Sequence, residues 1–123
     1  MLSDMSDEFL NVATKEINED LTELKKILAI CENDVNVISN ADKLQKHTHK
    51  IKGLAPMMGK AHLGEISGSL DSLLKTSLDG GDIEGIFDLL SEILPFMTSL
   101  MIEGTCELAM IKEKISKIEN MSN

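Results

Sequence analysis

Aromatic residues are scarce in this chain of 123 residues. They make up 2% of the sequence, with three phenylalanines and neither tryptophan nor tyrosine. A core must therefore be built from Leu, Ile, Met and Ala, which favours helices packed on helices. Apolar residues still make up 42% of the chain, which is typical of a globular rather than a disordered protein.

Long apolar runs are also missing. No stretch approaches the roughly 20 residues that a helix needs to cross a bilayer, and the acidic N-terminus lacks the features of a signal peptide. The two cysteines, Cys31 and Cys106, have neither metal-ligand spacing nor a disulfide framework around them. These absences predict a cytoplasmic protein with reduced thiols and no membrane association.

Positive charge is in the minority and is unevenly placed. The net charge is −9, and arginine is absent. Residues 43–63, called here the basic segment, hold five lysines and no acid, so they carry +5 against −14 for the remainder. An acidic chain argues against nucleic-acid binding, which needs a broad basic face. The basic segment instead predicts a small site for an anion or an acidic partner surface.

Apolar residues recur at intervals of three and four along most of the chain, which predicts an all-α fold. We expect five helices: from the N-cap candidate Ser6, with Asp7 and Glu8 in the first turn, to residues 32–33; residues 37–40 to Met58; Leu63 to the turn at 79–81; Asp82 or Ile83 to Met101; and Leu108–Ile118. Gly59 is expected at the C-cap of the second helix, and Pro56 to kink it or end it early. Short connections favour an up-down-up-down antiparallel four-helix bundle with an additional C-terminal helix, as one domain over residues 1–123.

The second predicted helix holds two histidines that differ in direction. At about 100° per residue, Leu44, Ile51 and Ala55 share one buried stripe. His49 falls about 140° from Leu44, so its ring is expected to face solvent. His47 falls at the margin of the stripe, which predicts a partly buried ring satisfied by a neighbour.

The surroundings of His49 suit phosphoryl chemistry. An exposed imidazole is in large part unprotonated at physiological pH, so a ring nitrogen can accept a phosphoryl group. Lys52, one turn further on, can neutralise phosphate oxygens. Gly53 costs about 1 kcal/mol of helix stability relative to Ala, which suggests that a partner must approach closely there. From spacing alone, an ordinary solvated helix face remains the alternative.

The run Lys46–Gly59 resembles the phosphoacceptor motif of histidine-containing phosphotransfer (HPt) domains. It is most similar to the N-terminal phosphotransfer domain of the chemotaxis histidine kinase CheA. The family pattern is His-x-x-Lys-Gly with a second glycine six residues later, and His49, Lys52, Gly53 and Gly59 satisfy it. The similarity in the order of helices extends over nearly the whole chain.

The resemblance implies a role for each matching residue. His49 would be the phosphoacceptor, Lys52 would interact with the phosphate, and Asp71 would replace a family glutamate that hydrogen-bonds the other ring nitrogen. Asp71 is one methylene shorter than that glutamate, and Gly68 stands where many relatives carry a further histidine, so the network is expected to be simpler. The residues expected to contact a partner are Lys46, Lys50, Gly53 and Met57.

The implied function is a phosphoryl carrier in a two-component phosphorelay. The partners would be a histidine-kinase catalytic domain and a response-regulator receiver domain, and ATP and Mg²⁺ would bind in the kinase domain and not in this one. No phosphate-binding loop with Lys-Ser or Lys-Thr is present in the sequence, so no cofactor is expected here. The N-terminal domain of a CheA-type kinase is the first expectation, and a stand-alone shuttle is the second.

Two alternatives to phosphotransfer concern the histidines and the methionines. A metal site from His47, His49 and His62 is disfavoured, since the rings of a His-x-His pair point about 200° apart on a helix. A non-catalytic helical interaction bundle remains open, because eight methionines also suit an adaptable interface.

Overall fold

The computed structural model describes residues 7–102 and 108–122, without the side chains of residues 108–110, 112, 121 and 122. Ser6 and Cys106 lie outside these ranges. All regular secondary structure within them is helical, which confirms the predicted all-α class: α1 (Asp7–Ala29), α2 (Asp34–Ser39), α3 (Ala41–Met57), α4 (Ala61–Leu78), α5 (Ile86–Ile102) and α6 (Leu108–Ser122). None of these helices is long and apolar enough to cross a membrane.

The short helix α2 was not predicted. The first helix was expected to continue to residues 32–33, but α1 ends at Ala29 and a new helix begins at Asp34. The side chain of Asn33 accepts the backbone N–H of Asn36 at 3.0 Å, which caps the N-terminus of α2. Asparagine favours such local side-chain bonds over a continuous helix, so α1 and α2 are separate.

Asp34 also determines where α5 begins. Its carboxylate accepts the backbone N–H of Gly85 at 2.9 Å and of Phe87 at 2.8 Å. These N–H groups at the start of a helix have no partner within the helix, and a carboxylate there also interacts favourably with the helix dipole. The predicted start at Asp82 or Ile83 is therefore wrong, and α5 begins at Ile86.

The C-terminus of α3 follows the Schellman pattern. Gly59 has a positive φ of 79°, the backbone N–H of Lys60 donates to Ala55 O at 2.9 Å, and that of Gly59 donates to Pro56 O at 3.1 Å. This confirms Gly59 as the residue that terminates the helix. Pro56 lies in the last turn, so α3 extends to Met57 and is not ended early. The short connection of residues 58–60 leads directly into α4.

The core is aliphatic, as the shortage of aromatics predicted. α3 packs against α1 and α4, α5 packs against α1 and α4, and α6 packs against α4 and α5. The largest fully buried side chains are all Leu or Ile: Ile17, Leu24, Leu44, Ile51, Leu63, Ile66, Leu70, Leu74, Ile83, Ile86, Leu90 and Ile93.

Gly64 lets α3 and α4 approach closely. A Cβ atom at this position would lie 2.6 Å from Cγ and 2.8 Å from Cδ of the Pro56 ring. Both distances are too short for any side chain, so the contact requires a glycine. This close approach holds the central part of α3 beside the face of α4 that carries Asp71.

Candidate functional site

α3 directs its two histidines to different surroundings, as the helical geometry predicted. The side chain of His49 is 70% exposed, whereas that of His47 is 17% exposed. Leu44 and Ile51, on the buried stripe between them, are inaccessible to solvent. The helical phase inferred from the sequence is therefore confirmed.

Asp71 on α4 lies beside the His49 ring. Its Oδ2 atom is 3.5 Å from His49 Nδ1 and 3.8 Å from Lys52 Nζ. The first distance is at the outer limit of a hydrogen bond, and the second is an ion pair. Asp71 itself is only 6% exposed, so it is not an ordinary solvated carboxylate. The structure thus brings together the three residues to which the resemblance assigned the chemistry.

A fourth residue of this group was not predicted. Gln45 Nε2 donates a hydrogen bond of 3.1 Å to Asp71 Oδ1, the oxygen that does not face His49. Gln45 lies four residues before His49 and therefore on the same side of α3, a spacing that was visible in the sequence. We refer to Gln45, His49, Lys52 and Asp71 as the outer cluster.

Gly68 leaves room for the lysine of the outer cluster. A Cβ atom at Gly68 would lie 3.7–3.8 Å from carbons of the Lys52 stem, which is ordinary van der Waals contact. The Lys52 stem therefore passes over the α4 backbone at Gly68 on the way to Asp71. A large side chain at this position would occupy the space that Lys52 uses.

A second group of the same residue types lies where α3 packs against α1. Asp20 Oδ1 is 2.8 Å from His47 Nδ1 and 3.4 Å from Lys50 Nζ, and Lys50 is also 3.2 Å from Glu16. The predicted neighbour of His47 is therefore Asp20, which is 2% exposed. We refer to Glu16, Asp20, His47 and Lys50 as the inner cluster.

Lys50, which was expected on the partner surface, is exposed, and its ammonium group is bound to the acids of α1. The hydrogen bond with Glu16 is the largest cause of a raised Lys50 pKa, which partial burial opposes and the charge of Asp20 supports. Asp20 was not singled out from the sequence. The available signal was an acid at helical spacing from the apolar Ile17 and Leu24, on the stripe of α1 that faces the core.

The lysines of the basic segment have different contacts. Lys60 Nζ donates to the backbone carbonyls of Leu100 and Met101, both at 3.3 Å, and so satisfies the C-terminus of α5. With Lys50 bound to α1 as well, two of the five lysines have structural roles. Of the other three, Lys46 and Lys52 lie within one turn of His49 on α3, and Lys43 lies further towards the start of the helix.

The other residues predicted for partner contact follow one exposed strip of α3. Lys46, His49, Gly53 and Met57 are all exposed, and Met57 retains 52% of its accessible surface. A Cβ atom at Gly53 would meet no atom within 4 Å. Packing within the chain therefore does not require this glycine, and the surface beside His49 is open.

In the part of the chain that the structure describes, no group of three or more His, Cys, Asp or Glu side chains is placed to hold a metal ion. The outer cluster holds an exposed imidazole, an ammonium group, a carboxamide and a buried carboxylate. No protein-family model, curated protein or solved structure matches this chain.

Proposed function

We propose that this chain is a histidine phosphotransfer domain, in which His49 accepts a phosphoryl group and passes it to an aspartate of a receiver domain. One observation carries the proposal. The His49 ring is 70% exposed, yet one of its nitrogens faces a buried carboxylate that it shares with Lys52. An exposed imidazole with such an oriented neighbour is suited to act as a nucleophile towards a group brought by another protein.

The contact with Asp71 determines which nitrogen reacts. A carboxylate beside Nδ1 favours the neutral tautomer that carries its proton on Nδ1. The lone pair then lies on Nε2, which would attack the γ-phosphorus of ATP held by a kinase. The N–P bond forms as the bond to the bridging oxygen breaks, and ADP leaves. Lys52 would offset the negative charge on the transferred phosphoryl group.

The proposal includes the finer arrangement of the helices. We place α1, α3, α4 and α5 in an up-down-up-down antiparallel four-helix bundle, with α6 as the additional C-terminal helix. The packing supports this, since α1 contacts α3, α3 contacts α4, α4 contacts α5, and α5 contacts α1. In such a ring, α3 presents one long face to a partner and keeps its neighbours on either side.

The partners are those that the resemblance to phosphotransfer domains implies. A histidine-kinase catalytic domain, with ATP and Mg²⁺, would supply the phosphoryl group, and a response-regulator receiver domain would remove it. The net charge of −9 disfavours nucleic acid as a partner. A phosphorelay of this kind would place the chain in the cytoplasm, as a domain of a CheA-type kinase or as a separate shuttle.

The test uses the two histidines as a matched pair. The chain is incubated with ATP, Mg²⁺ and a CheA-type kinase core that lacks its own phosphotransfer domain. The wild type and His47→Gln should acquire acid-labile, base-stable phosphate, and His49→Gln should not. Equal labelling of His49→Gln and the wild type would make the proposal wrong.

The second half of the reaction has its own measurement. Phosphorylated chain, freed of kinase and ATP, is mixed with a receiver domain and Mg²⁺. Label should leave His49 and appear on the receiver as an acyl phosphate, which alkali hydrolyses. Labelled His49 that no receiver domain discharges would argue against a carrier role.

A further inference from the structure

The two oxygens of the Asp71 carboxylate have separate contacts. Oδ2 faces His49 and Lys52, whereas Oδ1 accepts the hydrogen bond from Gln45. Gln45 and His49 lie one turn apart on α3, so they approach the carboxylate side by side. Rotation of the carboxylate about its terminal bond would break the bond from Gln45 and turn Oδ2 away from His49.

The inner cluster shows why the orientation of Asp71 needs this support. Asp20 contacts His47 at 2.8 Å, a distance at which the histidine itself fixes the carboxylate. Asp20 Oδ2 is buried with no hydrogen-bond partner among the described residues, so this carboxylate is held through a single oxygen. The 3.5 Å contact between Asp71 and His49 is too long to fix a rotamer in the same way.

We propose that Gln45 is a positioning residue for His49. Its amide holds the Asp71 carboxylate so that Oδ2 faces His49 Nδ1, and this keeps the proton on Nδ1 and the lone pair on Nε2. The effect on the tautomer does not depend on any activity of the chain. The consequence for the rate of phosphoryl transfer rests on the proposed function.

The first experiment measures the tautomer directly. Nitrogen-15 NMR of the histidine rings, at a pH where the imidazoles are neutral, reports the fraction with the proton on Nδ1. In Gln45→Met, which keeps the length but cannot donate, this fraction should fall for His49 towards that of free histidine. His47 is the internal control, because its partner Asp20 does not contact Gln45. An unchanged His49 tautomer in the folded variant would overturn the proposal.

A double-mutant cycle tests whether Gln45 acts through Asp71. If it does, Gln45→Met should change the His49 tautomer in the wild type and add nothing in the Asp71→Ala background. Equal effects in both backgrounds would show that Gln45 acts by another route and would overturn the proposal.

A third measurement needs no variant. Gln45 is the only glutamine in the sequence, so its side-chain amide resonances are readily identified. Its Nε2 protons should exchange with water several-fold more slowly than those of an exposed asparagine such as Asn18. Exchange at equal rates would contradict the hydrogen bond on which the proposal depends.

The kinetic arm separates this inference from the proposed function. If His49 accepts phosphate, Gln45→Met should slow phosphorylation about tenfold, the lower end of the cost of losing a group that orients a functional histidine. A rate equal to that of the wild type, in a variant whose tautomer has changed, would overturn the kinetic consequence and leave Gln45 with an effect on the tautomer alone. If no variant and no wild type is labelled, the proposed function fails, while the tautomer measurement still decides the role of Gln45.

Discussion

The inner and outer clusters contain the same three residue types in the same order. Each has a histidine of α3, a lysine three residues later, and a buried aspartate from a neighbouring helix. In the inner cluster, His47 is 17% exposed and contacts Asp20 at 2.8 Å, whereas His49 is 70% exposed and lies 3.5 Å from Asp71. Residue types alone therefore do not distinguish the two clusters, whereas exposure and distance separate a packed histidine from an exposed one.

The difference follows from helical geometry. His47 and His49 lie two residues apart, so their side chains point about 200° away from each other. One ring enters the interface of α3 with α1, and the other lies at the edge of the interface with α4. Two adjacent copies of one motif thus receive opposite degrees of solvent access from the helix that carries both.

The largest effect we expect comes from removing the aspartate of either cluster. Loss of Asp20 should mainly lower stability, whereas loss of Asp71 should mainly impair the proposed function. Asp20→Ala leaves the mostly buried His47 without its partner and should lower the free energy of unfolding by about 2–3 kcal/mol. Asp71→Ala should cost less, about 0.5–1.5 kcal/mol, since it removes the hydrogen bond from the half-buried Gln45 while His49 and Lys52 stay solvated. Urea unfolding measures both values.

If the proposed function is correct, Asp71→Ala should have the larger effect on the rate of phosphorylation, although Asp20→Ala has the larger effect on stability. Asp71→Ala should be labelled more slowly than the wild type, whereas Asp20→Ala, kept at a temperature where it is folded, should be labelled at the wild-type rate. A greater loss of stability in Asp71→Ala than in Asp20→Ala would contradict the distinction between the two clusters.

The sequence predicted those parts of the site that depend on one helix or one motif. Helical phase alone separated His49 from His47, and the resemblance to phosphotransfer domains led to Asp71. The sequence did not reveal Asp20 or Gln45. Asp20 contacts His47, 27 residues away, and Gln45 contacts Asp71, 26 residues away, so both contacts depend on how the helices dock. The start of α5 was missed for a similar reason, since Asp34, 51 residues before Gly85, supplies its cap.

Two glycines of α4 test how far the outer cluster depends on the approach of α3 to α4. Gly64→Ala places a Cβ atom against the rigid Pro56 ring and should lower stability by about 1–3 kcal/mol. Gly68→Ala makes only an ordinary contact with the Lys52 stem and should raise stability by about 0.5–1 kcal/mol. Thermal and urea unfolding measure whether each substitution lowers or raises stability.

The clusters should respond differently to the Gly64 substitution. Separation of α3 from α4 moves Asp71 away from His49, so the ring nitrogens of His49 should shift in nitrogen-15 spectra. Those of His47 should not, because its partner lies on α1. Destabilisation by Gly68→Ala as large as that by Gly64→Ala would show that close approach at Gly64 does not control this interface.

The smallest expected effect concerns the lysine of the inner cluster and depends on pH. Contacts with Glu16 and Asp20 raise the pKa of Lys50, so the folded state favours its charged form. The resulting stabilisation is complete below the unfolded value of about 10.4 and is lost as the pH rises through the higher folded value. Because the Lys50 side chain is 45% exposed, solvent screening should keep this contribution below about 1 kcal/mol.

The difference in unfolding free energy between the wild type and Lys50→Met should therefore be larger at about pH 8 than at about pH 11. Lys43→Met is the control, since it corrects for the loss of one exposed charge. A difference that stays constant over this range would mean that the Lys50 stem, rather than its charge, holds α3 against α1.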